Sequence, residues 1–546
     1  MHCLPQLADI DMPLHRLSGK KLFLFFIVCL ALPIASCAQQ ELKNLPEYSL
    51  PLTDKKLVIA HNMTGIIRFK GHELEDSANP KYYKPTGNIS ETLGGLTQVN
   101  VITDSLLSNA TLDEAVEFEM RAALRSGIDG FQFYYILGLK SWDDIIKAYF
   151  RVAGKKSIPF KFTFCVSHPD GRTEADKIEE FAQRINGIMD EVGHDNPHWL
   201  RTPDGRLIVY MWNGEGLADI PKDKKELPDA YYIARAYKRL ADRVNERFAC
   251  VFSINEQIDK GKLNDFLNYF PATWIWTLAY NKDYIGPMVA DACLARGRTF
   301  TGSVFGDFYT SKLLRKGTWN MYHRVDEAVA DGIKKVERRY VVTGLSYNFR
   351  KLLEFGISRD VPIINVITWN DYPEGHHLAP EVNHNYGFSV LLNHYKSVWK
   401  QESIAPKDIA IVFFKKYQHK VKPNPYNIPV VQFEPGAVPE RFEDSIDVVT
   451  ILPSSAMLKV NGEEKPVAAG LQSTKFPSKP GAVELSVSRD GKQTVHFITP
   501  EWITDKPYRT DRLTYVYSSK DAEYHKDIFG DMPPIQSTEY NKQAKQ

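Results

Sequence analysis

Eight runs of apolar residues punctuate the chain between residues 56 and 371: KLVIAHN, GIDGFQFYYI, FKFTFCVSH, RLIVYMWN, FACVFSIN, TWIWTLAY, FTGSVFGDFY and VPIINVITWND. Most are nearly continuous in apolar residues, the pattern of parallel strands covered on both faces. Between them the spacing turns helical. TLDEAVEFEMRAALRSG opens with a Thr-x-x-Glu capping box, Thr111 and Glu114, and stops at Gly127. SWDDIIKAYFRVAG begins at a serine cap, and Thr173 to Val192 carries apolar residues at helical spacing. Further helices are expected at about 229–244, 284–296 and 322–339. Strands alternating with helices predict a (β/α)8 TIM barrel over 55–404. An open doubly wound sheet is the alternative, but no Gly-rich phosphate loop follows any strand.

After about residue 405 the pattern changes. DIAIVFFKKY, DVVTILP, AMLKVNG, VELSVSRDG and QTVHFITP are short runs separated by Pro, Gly and Asn. They predict an all-β, sandwich-like domain over 405–517. Residues 518–546 are polar and contain Pro, which reads as a loosely ordered tail.

At 546 residues and 43% hydrophobic content, the chain can build a large core and more than one domain. A net charge of +1 gives nucleic acid no basic face to bind. Lys20 and Lys21 precede LFLFFIVCLALPIA, a basic then apolar leader shorter than a spanning helix. It ends in Ile34-Ala35-Ser36-Cys37, similar to a bacterial lipoprotein processing box. Residues 1–37 therefore read as a signal with Cys37 as the lipidation site, and 38–54 as a linker. The expectation is an exported protein tied by that lipid to the bacterial cell envelope. Cys165, Cys250 and Cys293 sit in apolar segments without metal-like spacing, so buried small hydrophobes are expected rather than a disulfide framework. Asn62, Asn88 and Asn109 begin Asn-x-Ser/Thr sequons, which matter only in a eukaryotic secretory route.

In a (β/α)8 barrel the chemistry sits at the C-terminal ends of the strands. The runs end, in order, in His61 and Asn62; Tyr134; His168; Trp212, Asn213 and Glu215; Asn255 and Glu256; Tyr280; Asp307 and Tyr309; and Trp369, Asn370, Asp371 and Glu374. Acids, amides and rings round one mouth suit an uncharged polyhydroxylated ligand, and 12% aromatic content supplies flat faces for sugars. Asp371 and Glu374 have the residue types of a glycosidase pair, one protonated toward the leaving oxygen and one ionised. Mutual repulsion would help hold one proton on the pair. The competing reading has Asp371 forming an Asx-turn beside Pro373, with Glu374 in solvent. His376 and His377 are adjacent, so in an extended segment their side chains point to opposite sides. No HExxH array and no GxSxG elbow occurs, so neither a metal, a cofactor nor a serine nucleophile is expected.

TWNDYPEGHHLAP resembles the TWND(Y/F)GES-type segment of fungal α-1,3-glucanases (mutanases) of glycoside hydrolase family 71. It is also similar to the WNEWHEG-type segment of family 99, the endo-α-mannosidases and endo-α-mannanases. VIAHNMTG, AALRSGIDGFQFYYI, GDFYTSKL and DIAIVFFKKYQH resemble further family segments in the same order, from about 57 to 420. The resemblance implies a barrel, a C-terminal β domain and hydrolysis within an α-glycan. It implies Glu374 as general acid and Asp371 as general base. In family 71 that base acts on water; in the mannan-acting family the matching residue deprotonates the substrate's own 2-hydroxyl and configuration is retained. His61, Tyr134, Trp212, Asn213, Glu256, Asp307, Tyr309, Trp369, Asn370, Asn62 and His376 are then candidate sugar contacts. The sequence departs from family 71 at Pro373, at Gly375 in place of Ser, at Asn62, and at His376-His377. These changes bear on the substrate: an α-1,3-glucan is the first expectation, α-mannan the alternative, and a surface glycan-binding protein without catalysis the third.

Overall fold

The computed structural model describes residues 51–72, 106–223, 227–254, 258–310, 314–318, 336–403, 407–421, 430–506 and 512–532. The leader, Cys37, Asn88 and Glu256 lie outside the described residues.

The eight apolar runs form the barrel. Its parallel strands are β1 (Leu57–Asn62), β2 (Gly130–Tyr135), β3 (Lys161–Ser167), β4 (Leu207–Trp212), β5 (Phe248–Ile254) and β6 (Ala272–Ile275). They are completed by a seventh stretch in two pieces, β7 (Thr299–Phe300) and β8 (Gly302–Val304), and by β11 (Ile363–Val366). β7 pairs with β6 while β8 pairs with β11, and β11 pairs with β1, so the sheet closes on itself. Thr301, between the two pieces, donates its amide to Thr273 O (3.0 Å) and accepts Asn365 Nδ2 on its hydroxyl (2.9 Å). Closure therefore rests on side-chain and backbone bonds from both neighbours. Burial on both faces explains the missing alternation: every residue of β5 is buried, as are five of the six in β1.

The helices between them are α1 (Leu112–Arg125), α2 (Ser141–Lys155), α3 (Glu174–Val192), α4 (Asp229–Val244), α5 (Lys260–Tyr269), α6 (Gly286–Ala295), α7 (Tyr347–Ser358) and α8 (Gly387–Lys400). The Thr111–Glu114 capping box is formed on both sides. Ser141 does not cap α2; Lys140 holds that position, without a side-chain bond. The helix expected over 322–339 is not what residues 336–340 form. Val336–Tyr340 is a strand, β10, antiparallel to β9 (Leu314–Arg315) and parallel to β13 (Val430–Gln432). Pairing on both edges overrides local spacing there. No described helix is long and apolar enough to cross a membrane.

The C-terminal domain stacks two four-stranded antiparallel sheets. One has the order β17 (Gly470–Pro477), β14 (Ser445–Leu452), β12 (Ile409–Lys415), β20 (Thr514–Ser518). The other has β16 (Glu463–Val467), β15 (Ala456–Val460), β18 (Gly481–Arg489), β19 (Lys492–Ile503). Val412, Phe414, Val448, Leu458, Leu485 and Val487 fill the space between them. The opposite face of the first sheet packs on the barrel: Phe413 meets Phe388 of α8, with centroids 5.4 Å apart. Gly387 opens α8 where a Cβ would collide with Val516 and Ile411, so glycine permits this close approach. The chain after 518 is not wholly a tail. Asp521–Phe529 forms α9 and packs on α1, and the Arg125 guanidinium lies 3.5 Å from the Tyr524 ring centre.

Candidate active site

The segment after β11 is folded into a loop by its own backbone. Thr368 donates to His376 O (2.8 Å), and Leu378 donates to Thr368 O (2.9 Å). Inside that loop Asp371 N donates to Thr368 Oγ1 (2.8 Å), and Asp371 Oδ1 accepts from Glu374 N (3.2 Å). Asp371 thus caps a 3-10 turn, Tyr372–Glu374, with Pro373 inside it and Gly375 closing it at φ 70°. The Asx-type cap is present, yet the turn is not a solvated one. The side chains of Asp371 and Glu374 are 7% and 19% exposed.

The two histidines take opposite sides, as adjacent residues in extended chain must. His376 Nε2 lies 3.2 Å from Glu374 Oε2 and 3.8 Å from Asp371 Oδ2. One oxygen of each acid and one His376 nitrogen fall within 4.8 Å of one another. His377 faces Glu381 and His384 instead. From His376 a row of rings crosses the top of the barrel. Trp276 meets His376 edge-on (5.9 Å), Trp212 lies 5.0 Å from Trp276, and Tyr134 5.9 Å from Trp212. His61 sits between Tyr134 (5.7 Å) and Trp276 (5.2 Å). Tyr134, Trp212 and Trp276 are partly exposed while His61 and His376 are buried beneath them. This is a wall of ring edges and faces leading to an acid pair.

Buried polar atoms with no hydrogen-bond partner among the described residues sit in this wall: His61 Nδ1, Trp212 Nε1 and His376 Nδ1. Such groups are costly to bury unpaired, and polar groups of a bound ligand would satisfy them. Burial lowers the His61 pKa to about 3 against the raising influence of the neighbouring Gln132 side chain, and nearby His376 adds to the lowering. At neutral pH His61 is therefore an uncharged donor and acceptor. Behind the loop, burial raises the Glu119 carboxyl to about 7 although the Trp369 indole N–H donates to it.

Several candidate residues are placed elsewhere. Trp369 is buried, bonded to Glu119 of α1 and 5.9 Å from Phe131, so it belongs to the layer between barrel and helices. Asn62 follows His61 on the strand and so faces outward, toward Tyr149 of α2. Asn370 accepts from Met63 N (2.8 Å) and donates to Met63 O and Ile66 O, clamping the loop after β1. Tyr309 has no exposed surface and packs on Tyr340, Val342 and Leu513; its amide donates to Glu374 O (3.0 Å). Asp307 is buried against Lys415, His384 and the Thr514 amide. Burial alone would raise its carboxyl, but Lys415 and His384 hold it well below the usual carboxylate range. These five cannot touch a ligand at the mouth as they stand. Asn213, in the left-handed region at φ 46°, and Glu215 line a cavity of about 550 Å3 with Asp259 and Lys262. Trp276 and Glu119 went unrecognised in the sequence. Trp276 is the first residue after a four-residue strand, and alternation from Trp274 within TWIWTLAY is the signal that marks it as facing the mouth.

No protein-family profile and no curated protein matches the chain. Among solved structures it is similar to a family 99 endo-alpha-mannosidase from Bacteroides thetaiotaomicron. The TM-score is 0.40 at 11% identity, covering 64% of this chain and 98% of that one. It is also similar to a glycosyl hydrolase family 2 member from Bacteroides cellulosilyticus DSM 14838, with TM-score 0.40, 12% identity, 81% of this chain and 46% of that one. A beta-glucosidase from Thermotoga maritima gives 0.33 at 9% identity, covering 65% of this chain and all of that one. Likeness at these identities concerns the course of the chain alone.

Proposed function

We propose that the protein is a glycoside hydrolase cleaving internal α-linkages of a polysaccharide, with Glu374 as general acid and Asp371 as general base. The observation that supports this most is the acid pair itself. Two carboxylates share one capped turn at the C-terminal end of a barrel strand, beside a row of aromatic rings. Glu374, the more exposed, donates its proton to the leaving glycosidic oxygen. His376, in reach of both acids, orients Glu374. Asp371, fixed by Thr368 and the Glu374 amide, removes a proton on the opposite side of the reaction. Tyr134, Trp212 and Trp276 offer platforms for sugar rings, and His61 reads a hydroxyl as a neutral group.

Substrate and stereochemistry belong to the same proposal. An α-1,3-glucan is the first reading, from the TWND segment. The second reading, an endo-acting α-mannan hydrolase, is favoured by Gly375 and by the closeness of the acids. Inverting enzymes hold their carboxyls roughly 6.5–9.5 Å apart to admit water, and retaining ones about 5–5.5 Å. Oxygens within 4.8 Å favour retention, with Asp371 acting on the substrate's own 2-hydroxyl. Export and anchoring through Cys37 complete the proposal, placing the enzyme where polysaccharide is met.

A panel of α-1,3-glucan, α-mannan and other polysaccharides, with products resolved by size and anomeric form, tests it. Oligosaccharides from one α-glycan are expected, inverted if Asp371 acts on water as in the α-1,3-glucan reading and retained if it acts on the 2-hydroxyl as in the α-mannan reading. Failure to release product from any α-glycan, or release of monosaccharide alone, would contradict the proposal.

A further inference from the structure

Behind the acid pair lies a second cluster for which the chemistry above has no use. His377, Glu381 and His384 are 3%, 1% and 2% exposed. His377 Nε2 and His384 Nδ1 each lie 3.5 Å from Glu381 Oε1, and one ligand atom of each residue falls within 4.8 Å of the others. Neither nitrogen of His377, nor His384 Nδ1, has a well-formed hydrogen-bond partner among the described residues. No lysine or arginine among them pairs with Glu381. The result is a buried carboxylate whose neighbours are two imidazoles, each with a nitrogen 3.5 Å from the same carboxylate oxygen. Unpaired buried polar groups of this kind are expensive.

We propose that His377 Nε2, His384 Nδ1 and Glu381 Oε1 form a buried structural site for one divalent first-row cation of the Zn2+ type. A four-coordinate zinc with ligands at about 2.0–2.1 Å has ligand–ligand edges of about 3.4 Å, and two of the three edges here are 3.5 Å. Two imidazoles and one carboxylate are a donor set of intermediate softness, suited to zinc and unlike the all-oxygen cages of calcium or magnesium. Water takes the fourth position.

The surroundings are those of a metal's supporting residues. His384 presents its other nitrogen to Asp307 at 3.5 Å, the carboxylate–histidine arrangement that orients a ligating ring. Glu381 is aimed by the amides of Asn383 (2.7 Å) and His384, so its position does not depend on the ion. The ion would pin residues 377–384 immediately behind the turn bearing Asp371 and Glu374. Through Asp307 and Lys415 it would also link that turn to β12 of the second domain. It has no part in bond cleavage.

The test uses the full chain without a polyhistidine tag, stripped with chelator, incubated with Zn2+ and desalted before elemental analysis. About one zinc per chain is expected, with a melting temperature that falls on chelation and recovers with Zn2+. Co2+ in its place should give the visible absorption of a four-coordinate site. Glu381→Gln and His384→Gln should lose the metal, while Asp371→Asn retains it. If either ligand variant cannot be purified, the native-chain measurements decide. A native chain that holds no zinc and melts identically with and without it would overturn the proposal. So would full retention by the ligand variants, or loss on Asp371→Asn alone.

Discussion

Glu119 and Trp369 show how much of the acid loop's placement depends on a contact outside it. The indole donates to a buried carboxyl on α1, and burial raises that carboxyl to about 7 from an ordinary 4.5. The folded value lies above the unfolded one. Its stabilising contribution is therefore fully present below about pH 4.5 and is lost as pH rises through 7, amounting to roughly 3 kcal/mol. Glu119→Gln keeps a neutral acceptor in place. Denaturant unfolding should give the variant a flatter stability profile between pH 4.5 and 7 than the native chain; parallel profiles would contradict this. At this scale the sequence was partly legible. Asp371, Glu374, His61, Tyr134 and Trp212 stand at the mouth because each is the last in-facing residue of a recognisable run, or follows it on the capped turn. Trp369, Asn370, Tyr309 and Asp307 also follow strand ends, yet turn into the helical layer, the loop after β1 or the domain boundary. That choice is set by loop course and by partners distant in sequence, such as Glu119 and Lys415, which no local pattern marks.

At the level of elements, the barrel strands were readable because burial on both faces leaves unbroken apolar runs. α5, α7, α8 and α9 were not. α8 lies between the barrel and the second domain, and its first six residues, Gly387–Leu392, are all buried, so the polar stripe of Asn393, Lys396 and Lys400 marks only its second half. Strand β10 was misread as helix because its pairing partners lie outside its own segment. The 3-10 turn Tyr372–Glu374 is the element with most consequence for chemistry. Gly375 ends it at φ 70°, and a Cβ there would lie 2.7 Å from Leu513 Cδ2 and 3.0 Å from Tyr309 O. Both the backbone conformation and the contact oppose a side chain. Gly375→Ala should cost about 1–3 kcal/mol by the usual scale of overpacking, and should lower turnover by shifting Glu374. Urea unfolding together with steady-state kinetics checks both; unchanged stability would mean that the turn tolerates a side chain.

For the molecule as a whole, the boundary between barrel and β domain is polar at its centre rather than greasy throughout. Asp307, at the end of the seventh barrel segment, meets Lys415 (3.4 Å) and the Thr514 amide, and Lys415 also meets Glu443 (3.7 Å). Removing one member of such a buried set leaves another charge uncompensated, at a cost of about 3–5 kcal/mol. Asp307→Ala should lower stability by that order in denaturant unfolding, whereas a loss within experimental error would show the boundary to be held by Phe388, Phe413 and their neighbours alone. The domain therefore braces the face of the barrel that carries the acid pair. The most direct test of the account is the turnover of Asp371→Asn and Glu374→Gln on whichever glycan of the proposed panel the native chain is found to cleave, with folding verified by thermal melting. General acid–base groups contribute roughly 10²–10⁴-fold, so each folded variant should lose activity by at least that range. Near-native turnover by either one would contradict the assignment of catalysis to this pair.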